Sequence, residues 1–327
     1  MIRRTVLGAL VLGGLAAVAP LAGMGRAEAA WPDRPVTLIV PWAAGGGTDA
    51  VARMIAAKLE DRFKQPFNVV NRPGGGGIVG HTAIAQAPPD GYTIGLITAE
   101  VTTYKAMGTA TLTAKDLTPV ALVNFDAAAF HVSADSPWKD LTTALDAIRK
   151  EPGKYKMSGM PVGAAYHLAF AGMLREHGID PKAVPVVPSQ GAAPGFQELA
   201  AGGVAIVPSS LPEARAMMDA GRVKALAVLA EKRLEAFPNV PTVQEATGKP
   251  IAGGTWRGIA GPAGLPEEIV GALLPALESI HKSQEFKDFM NSRGFGLAWA
   301  PREEFRRFMA EAEARNAEII KDLGLAR

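Results

Sequence analysis

The chain has 327 residues, 48% of them hydrophobic, and no cysteine. This composition is typical of a globular protein, and the lack of cysteine excludes disulfides, a thiol nucleophile and cysteine-ligated metals. The formal net charge is only +2, without a long stretch of one sign, so nothing in the sequence indicates nucleic acid as a partner. The length is sufficient for two domains, each with its own core.

The first 29 residues have the pattern of a secretory signal peptide. Arg3 and Arg4 precede an apolar run over residues 6–22, and Ala-Glu-Ala at 27–29 forms a small-residue cleavage site. A membrane anchor is the alternative, but the run contains glycines and a proline and is short for a span. We therefore predict export, with cleavage near Ala29; the arginine pair leaves both Sec and twin-arginine export open.

The following region alternates short strands with helices. The sequence predicts strands at 36–41, 67–73 and 92–99, joined by helices at 48–62 and 78–87, with Thr48 or Asp49 as the N-cap of the first helix. Such alternation is typical of a doubly wound α/β fold with a mainly parallel sheet. Thr98, at the end of the third strand, is a candidate site residue.

The same alternation continues to the C-terminus without a flexible linker. Strand-like runs are predicted at 120–125, 128–134, 155–160, 184–191, 204–208, 223–230 and 256–262, a surface loop at 238–248, and helices at 266–282 and 302–322. This pattern predicts two lobes that exchange strands, with the chain crossing near 123–130 and 226–233. Residues 30–125 and 230–327 then form lobe 1, and residues 126–229 form lobe 2.

Two glycine-rich loops, 43–49 and 73–79, each follow a strand and precede a helix. The segment 45–50 formally matches G-x-G-x-x-A, so a dinucleotide site is one interpretation. The other is a small-anion site, because glycines expose backbone N–H groups and a helix N-terminus carries partial positive charge. Since both strands end at the same edge of a parallel sheet, we expect the two loops to converge; tight turns without a ligand are the structural alternative.

Several segments resemble one family. WPDRPVTLIVPWAAGGGTDAVAR, NRPGGGGIVGHTAIAQAPPDGYTI, MSGMPVGAAYHLA, GRVKALAVLAEKR, NVPTVQEATG and WRGIAGPAGLPEEIV look like the Bug family of substrate-binding proteins of tripartite tricarboxylate transporters. The resemblance covers the chain after the signal peptide, in order. It implies a two-lobed, type II-like periplasmic binding protein that holds an organic carboxylate in the cleft between its lobes.

The resemblance also implies a partner, a location and a set of ligand-binding residues. The expected protein is a periplasmic monomer that binds a small carboxylate, needs no cofactor or metal, has no catalytic activity and works with the membrane subunits of the transporter. An exported sensor or an exported enzyme on the same scaffold remains the alternative. The candidate residues of lobe 1 are Trp42, Ala43, Gly45, Gly46, Gly47, Thr48, Asp49, Gly74, Gly75, Gly76 and Gly77.

Lobe 2 is expected to provide specificity through positions that match the family, namely Ser158, Gly159, Gly163, Ala164, His167, Ser189, Gln190, Gly191, Ser209 and Ser210. His167 could equally be a structural histidine. Here the sequence departs from the family, which often has Tyr-Lys where this chain has Ser189-Gln190, and an Asp where it has Ala205. These departures predict a roomier and less acidic distal pocket and leave the identity of the carboxylate open.

Overall fold

Strands and helices alternate throughout the described part of the chain. The computed structural model describes Met1 and residues 31–326, so the predicted signal peptide lies outside the described residues apart from Met1. The strands are β1 Val36–Val40, β2 Phe67–Asn71, β3 Thr93–Thr98, β4 Leu117–Ser133, β5 Val207–Ser210, β6 Val223–Val228, β7 Gly254–Pro262 and β8 Leu297–Pro301. The helices are α1 Gly47–Phe63, α2 Ile78–Ala85, α3 Leu141–Lys150, α4 Ala165–Glu176, α5 Ala192–Ala200, α6 Leu211–Asp219, α7 Val243–Thr247, α8 Glu267–Lys282, α9 Gln284–Arg293 and α10 Arg302–Asp322.

The first sheet has the strand order β2-β1-β3-β7-β4, with β8 also paired to β4. β1 is parallel to both β2 and β3, whereas β7 is antiparallel to β3 and to β4. Two antiparallel pairings in succession bring β4 back to the direction of β1, β2 and β3. Most strands of this sheet therefore run in one direction, and the predicted α/β fold is confirmed.

β4 is a single strand of 17 residues that takes part in two sheets. Residues up to Ala127 pair with β7 and β8, and residues from Ala128 onwards pair antiparallel with β5 and β6. The sequence predicted two separate short strands here. That prediction is wrong, because the polar residues Asn124 and Asp126 that interrupt the apolar pattern are buried and hydrogen-bonded inside the strand.

Separate hydrophobic cores lie on either side of the point at which β4 changes its partner strands, between Ala127 and Ala128. β1, β2 and β3 pack on α1 and α8, and Leu38, Leu59 and Leu273 are fully buried there. The second core is built around the end of β4, α3 and α4, with Phe130 and Phe170 at its centre. The lobe boundaries at 125/126 and 229/230 remain a prediction, and this separation of the cores supports them.

Several elements differ from the sequence prediction. The predicted surface loop contains α7, which a reciprocal capping box between Thr242 and Glu245 stabilises. The predicted strands at 155–160 and 184–191 are reduced to isolated bridges, such as Met157 with Val186. α9 and β8 were not predicted, because they are short and lack a clear period. Within the described residues, no helix combines the length and the apolarity needed to cross a bilayer.

Three histidines are buried in the folded chain. Burial lowers the pKa of His81 to about 3 and the pKa values of His131 and His167 to about 4. In the unfolded chain an exposed histidine titrates near 6.5. Between these values the unfolded state binds protons that the folded state excludes, so acid favours unfolding.

We therefore predict that stability is full above about pH 6.5 and falls as the pH drops towards 4, by about 1.4 kcal/mol per pH unit for each such histidine. Urea denaturation of the wild type and of His131→Gln across this range measures the slope. The variant should show a shallower dependence, because one of the buried titrating groups is gone. Equal slopes for the two proteins would contradict the assignment.

Candidate ligand-binding site

A cavity of about 250 Å³ lies where α1, α4 and α5 begin, and residues of β3 and β7 also line it. Its lining is mostly apolar, with a few polar and charged groups. Of the candidate residues from the sequence, those at the cavity are Trp42, Ala43, Gly46, Gly47, Thr48, Thr98, Gly159 and Ala164. A concave, mainly apolar cavity with a few placed polar groups is the usual form of a small-molecule site.

The start of α1 opens into this cavity. Gly46 is the N-cap in an extended conformation, and no side chain caps the helix, so the predicted capping by Thr48 or Asp49 is wrong. The first bond of the helix runs from the Ala50 N–H to the Gly46 carbonyl over 3.0 Å. An α-helix leaves its preceding N–H groups without intrahelical acceptors, and they attract an anion.

Asp49 shapes the loop that precedes this helix. Its carboxylate accepts hydrogen bonds from the Gly45 N–H and from Asn71 Nδ2, both over 3.0 Å, and it pairs with Arg53. Burial opposes ionisation of Asp49, but the hydrogen bonds from Arg53, Gly45 and Asn71 outweigh burial and lower its pKa. Asp49 and Gly45 therefore hold the loop in place from outside the cavity.

A chain of hydrogen bonds crosses one wall of the cavity. Trp42 Nε1 donates to Thr98 Oγ1 over 3.1 Å, and the Thr98 hydroxyl donates to the Glu100 carboxylate over 2.5 Å. The other oxygen of Glu100 accepts the Ala165 N–H, at the start of α4, over 3.1 Å. Glu100 lines the cavity but was not predicted; the signal was an isolated acidic residue directly after a buried strand.

A buried arginine lines another wall. The Arg257 side chain is 1% exposed and pairs with Asp126, which is equally buried. Its guanidinium also donates to Asn124, to Thr48 Oγ1 over 2.9 Å, and approaches Glu213 to 3.6 Å. Burial alone would lower the pKa of Arg257, but the adjacent Asp126 and other negative groups raise it overall. This cluster was not predicted from the sequence, although an arginine within an apolar strand requires a buried partner.

Glu213 and Tyr166 complete the polar lining. Ser209 Oγ donates to the Glu213 carboxylate over 2.7 Å, and Ser210 Oγ does so over 3.2 Å. Tyr166 is 9% exposed, and its hydroxyl has no hydrogen-bond partner among the described residues. The two serines thus position the carboxylate of a residue that lines the cavity.

The second glycine loop does not reach this cavity, contrary to the predicted convergence. Gly74, Gly75, Gly76 and Gly77 have positive φ angles, and a Cβ on Gly76 would approach Pro161 to 3.1 Å. The Tyr104 hydroxyl donates to the Gly76 carbonyl over 3.0 Å and lies 2.7 Å from His81 Nδ1. His81 Nε2 in turn accepts the Thr98 N–H over 3.0 Å, so this loop supports the end of β3 from behind.

Three further candidates of lobe 2 do not line the cavity. Ser158 donates to Glu198 over 3.1 Å, Ser189 donates to the Gly191 carbonyl over 2.9 Å, and buried His167 accepts the Gly163 N–H over 2.9 Å. The candidates Gln190 and Gly191 line the cavity together with the first residues of α5. Two glutamates that were not among the candidates, Glu100 and Glu213, also line the cavity.

A metal site does not emerge from residues 31–326, where no three histidine, aspartate or glutamate side chains cluster closely enough to hold an ion. The charged groups of the cavity are instead engaged with one another or with the backbone. The arrangement can bind an anion at α1 and polar groups at Glu100, Tyr166 and Glu213.

Comparisons with known proteins show the family to which the chain belongs. Residues 51–325 match the model of the tripartite tricarboxylate transporter family receptor. The chain belongs to this family. It is 32% identical to a UPF0065 protein of Bordetella pertussis over 318 residues, which cover 95% of this chain and 96% of that protein.

Solved structures of similar proteins share the fold. The periplasmic binding protein BugD superposes with a TM-score of 0.83 at 28% identity, covering 90% of this chain and 99% of its own. MatC from Rhodopseudomonas palustris, solved with bound malate, has a TM-score of 0.79 at 27% identity, covering 89% of this chain and all of its own. Members of this family are solute-binding receptors.

We predict that Arg257→Met lowers the free energy of unfolding by about 3–5 kcal/mol, because it leaves the buried Asp126 carboxylate without its cation. Arg257→Met combined with Asp126→Asn should recover part of this loss. Arg149→Met, which removes an exposed pair with Asp146, is the control and should cost less than about 1 kcal/mol. Chemical denaturation measures all three; similar losses for the two single variants would contradict the prediction.

Proposed function

We propose that this chain is an exported, monomeric receptor that captures a small organic carboxylate and delivers it to the membrane subunits of a tripartite tricarboxylate-type transporter. The observation that carries the proposal is the uncapped start of α1, where Gly46, Gly47 and Thr48 line the cavity. Membership of the receptor family, malate in a related structure and the signal-peptide pattern of residues 1–29 support it.

The backbone of α1 is sufficient as the anchor for a carboxylate. Each charge-assisted N–H bond contributes about 1.5–3 kcal/mol net, and a helix terminus adds about 0.3–1 kcal/mol. A micromolar dissociation constant requires about 8 kcal/mol, so three or four such bonds are enough even after ordering costs. Arg257 need not bind the ligand directly, because Asp126 already pairs with it.

The proposal assigns different roles to the two predicted lobes. Lobe 1 (30–125 and 230–327) holds the carboxylate through the loop 42–48, and lobe 2 (126–229) closes the cavity with Gly159, Ala164 and the start of α5. A receptor releases its ligand unchanged, so the proposal includes no catalytic step. It also includes no cofactor.

We predict that mono- or dicarboxylates raise the melting temperature of the exported protein and alter the fluorescence of Trp42, which lines the cavity. A saturating ligand stabilises a folded protein by about 2.7 kcal/mol at 100 times its dissociation constant. Mass spectrometry of the ligand after incubation should show no conversion. Failure of every carboxylate to shift the melting temperature, or turnover of the ligand, would contradict the proposal.

A local variant tests the α1 anchor. Gly46 has φ −81°, and a Cβ there would meet only the Ala43 carbonyl at 3.6 Å, so a side chain fits the backbone but enters the cavity. We predict that Gly46→Val weakens ligand binding by about tenfold or more, equivalent to 1.4 kcal/mol, with little loss of stability. Isothermal titration calorimetry measures the affinity.

Two further glycines provide controls. Gly271→Val places a side chain in open space on α8 and should bind as the wild type does. Gly75 has φ +57° and does not line the cavity, so Gly75→Val should lower stability through backbone strain rather than block the site. Normal binding by Gly46→Val would remove α1 as the anchor.

A further inference from the structure

We propose that the ligand is an amino monocarboxylate, and that Glu100 selects it against dicarboxylates. The inference rests on the proposed function and narrows its substrate class. It depends on how the charged groups around the cavity are partnered.

Glu100 is a buried carboxylate at the cavity without a cation of its own. It is 5% exposed, and among residues 31–326 no lysine, arginine or histidine nitrogen lies within 4 Å of its oxygens. Its hydrogen-bond donors are the neutral Thr98 hydroxyl and Ala165 N–H. Burying a carboxylate without a counter-charge is costly, so a cationic group of the ligand is the missing partner.

Glu213 is the other carboxylate of the lining, and it differs from Glu100 in its partners. Arg257 lies 3.6 Å from Glu213, although Asp126 is the closer partner of that arginine. Two carboxyl groups, Asp126 and Glu213, thus face one guanidinium, and two, Glu100 and Glu213, line the cavity. A second carboxylate on the ligand would meet this excess of acidic groups, which disfavours dicarboxylates by repulsion.

The helix starts around the cavity also leave little room for a second carboxylate. Glu100 already accepts the Ala165 N–H at the start of α4, where an anionic group of a ligand would otherwise bind. The third residue of α5 is Pro194, which has no N–H to offer. The start of α1 therefore remains the best-equipped carboxylate site.

The test compares ligands of equal length that differ only at one end. Isothermal titration calorimetry of the exported protein uses pentanoate, 5-aminopentanoate and glutarate, and then butyrate, 4-aminobutyrate and succinate. In at least one series, the amino acid should bind the wild type at least about tenfold more tightly than the dicarboxylate, a difference of 1.4 kcal/mol.

Two isosteric variants distinguish the two carboxylates. Glu100→Gln keeps an acceptor for the Ala165 N–H but loses the charge, so it should reduce the preference for the amino acid over the dicarboxylate by about tenfold. Glu213→Gln removes part of the repulsion on a second carboxylate, so it should also reduce the preference, but by less, because Arg257 lies beside Glu213. Glu151→Gln is the matched control: this exposed carboxylate pairs with Lys154 outside the cavity, so the preference should not change. Melting temperatures establish that all three variants fold.

Each result decides the proposal. Tighter binding of glutarate or succinate than of the amino acids, or an equal effect of Glu100→Gln on all three ligands of a series, would overturn the amino monocarboxylate while leaving a carboxylate receptor in place. Binding of no ligand in either series would overturn this inference, and only the wider carboxylate panel would then decide the proposed function.

Discussion

The buried pair of Arg257 with Asp126 is the interaction on which the site depends. Arg257 lies on β7 and Asp126 on β4, just before β4 leaves the first sheet for the second. The same guanidinium holds Thr48 at the start of α1 and faces Glu213 on α6. A buried ion pair adds little net stability compared with apolar packing, but it cannot be broken cheaply. It therefore fixes the helix start that faces the ligand relative to the strand that joins the two sheets.

The first loop contains three glycines, each required for a different reason, and Arg257 accounts for one of them. Gly45 has φ +83°, which other residues adopt only with strain. A Cβ on Gly47 would come within 3.0 Å of Arg257 and 3.1 Å of Glu213, so the arginine requires a glycine there. Gly46 has neither restriction and leaves space at the cavity. The loop is thus shaped by Asp49 on one side and by Arg257 on the other, and only its middle residue is free to face a ligand.

Sequence patterns were reliable where the structure is determined locally. β1, α1, β2 and β3 follow from apolar runs bounded by glycine and proline, and their predicted limits agree with the structure to within two residues. The Arg257 cluster could not be predicted in this way, because its contacts to Thr48 and Asp126 join positions 209 and 131 residues apart. The predicted convergence of the second glycine loop with the first was wrong for a related reason. Its glycines indicate a left-handed turn but do not show the direction in which that turn opens. That direction is set by Tyr104 and His81, whose contacts with the loop arise only on folding.

Backbone and side-chain groups have different roles at the cavity. The amides at α1 are part of the fold, so they can hold a carboxylate whatever the rest of the ligand is. Glu100, Tyr166 and Glu213 are side chains at the cavity, and substituting them alters the lining without changing the helix start. Glu100 has a second role, because it joins the end of β3 to the first amide of α4. The carboxylate proposed to select the ligand thus also connects the end of β3 to the start of α4, so that selectivity and the connection between these two elements depend on the same atoms.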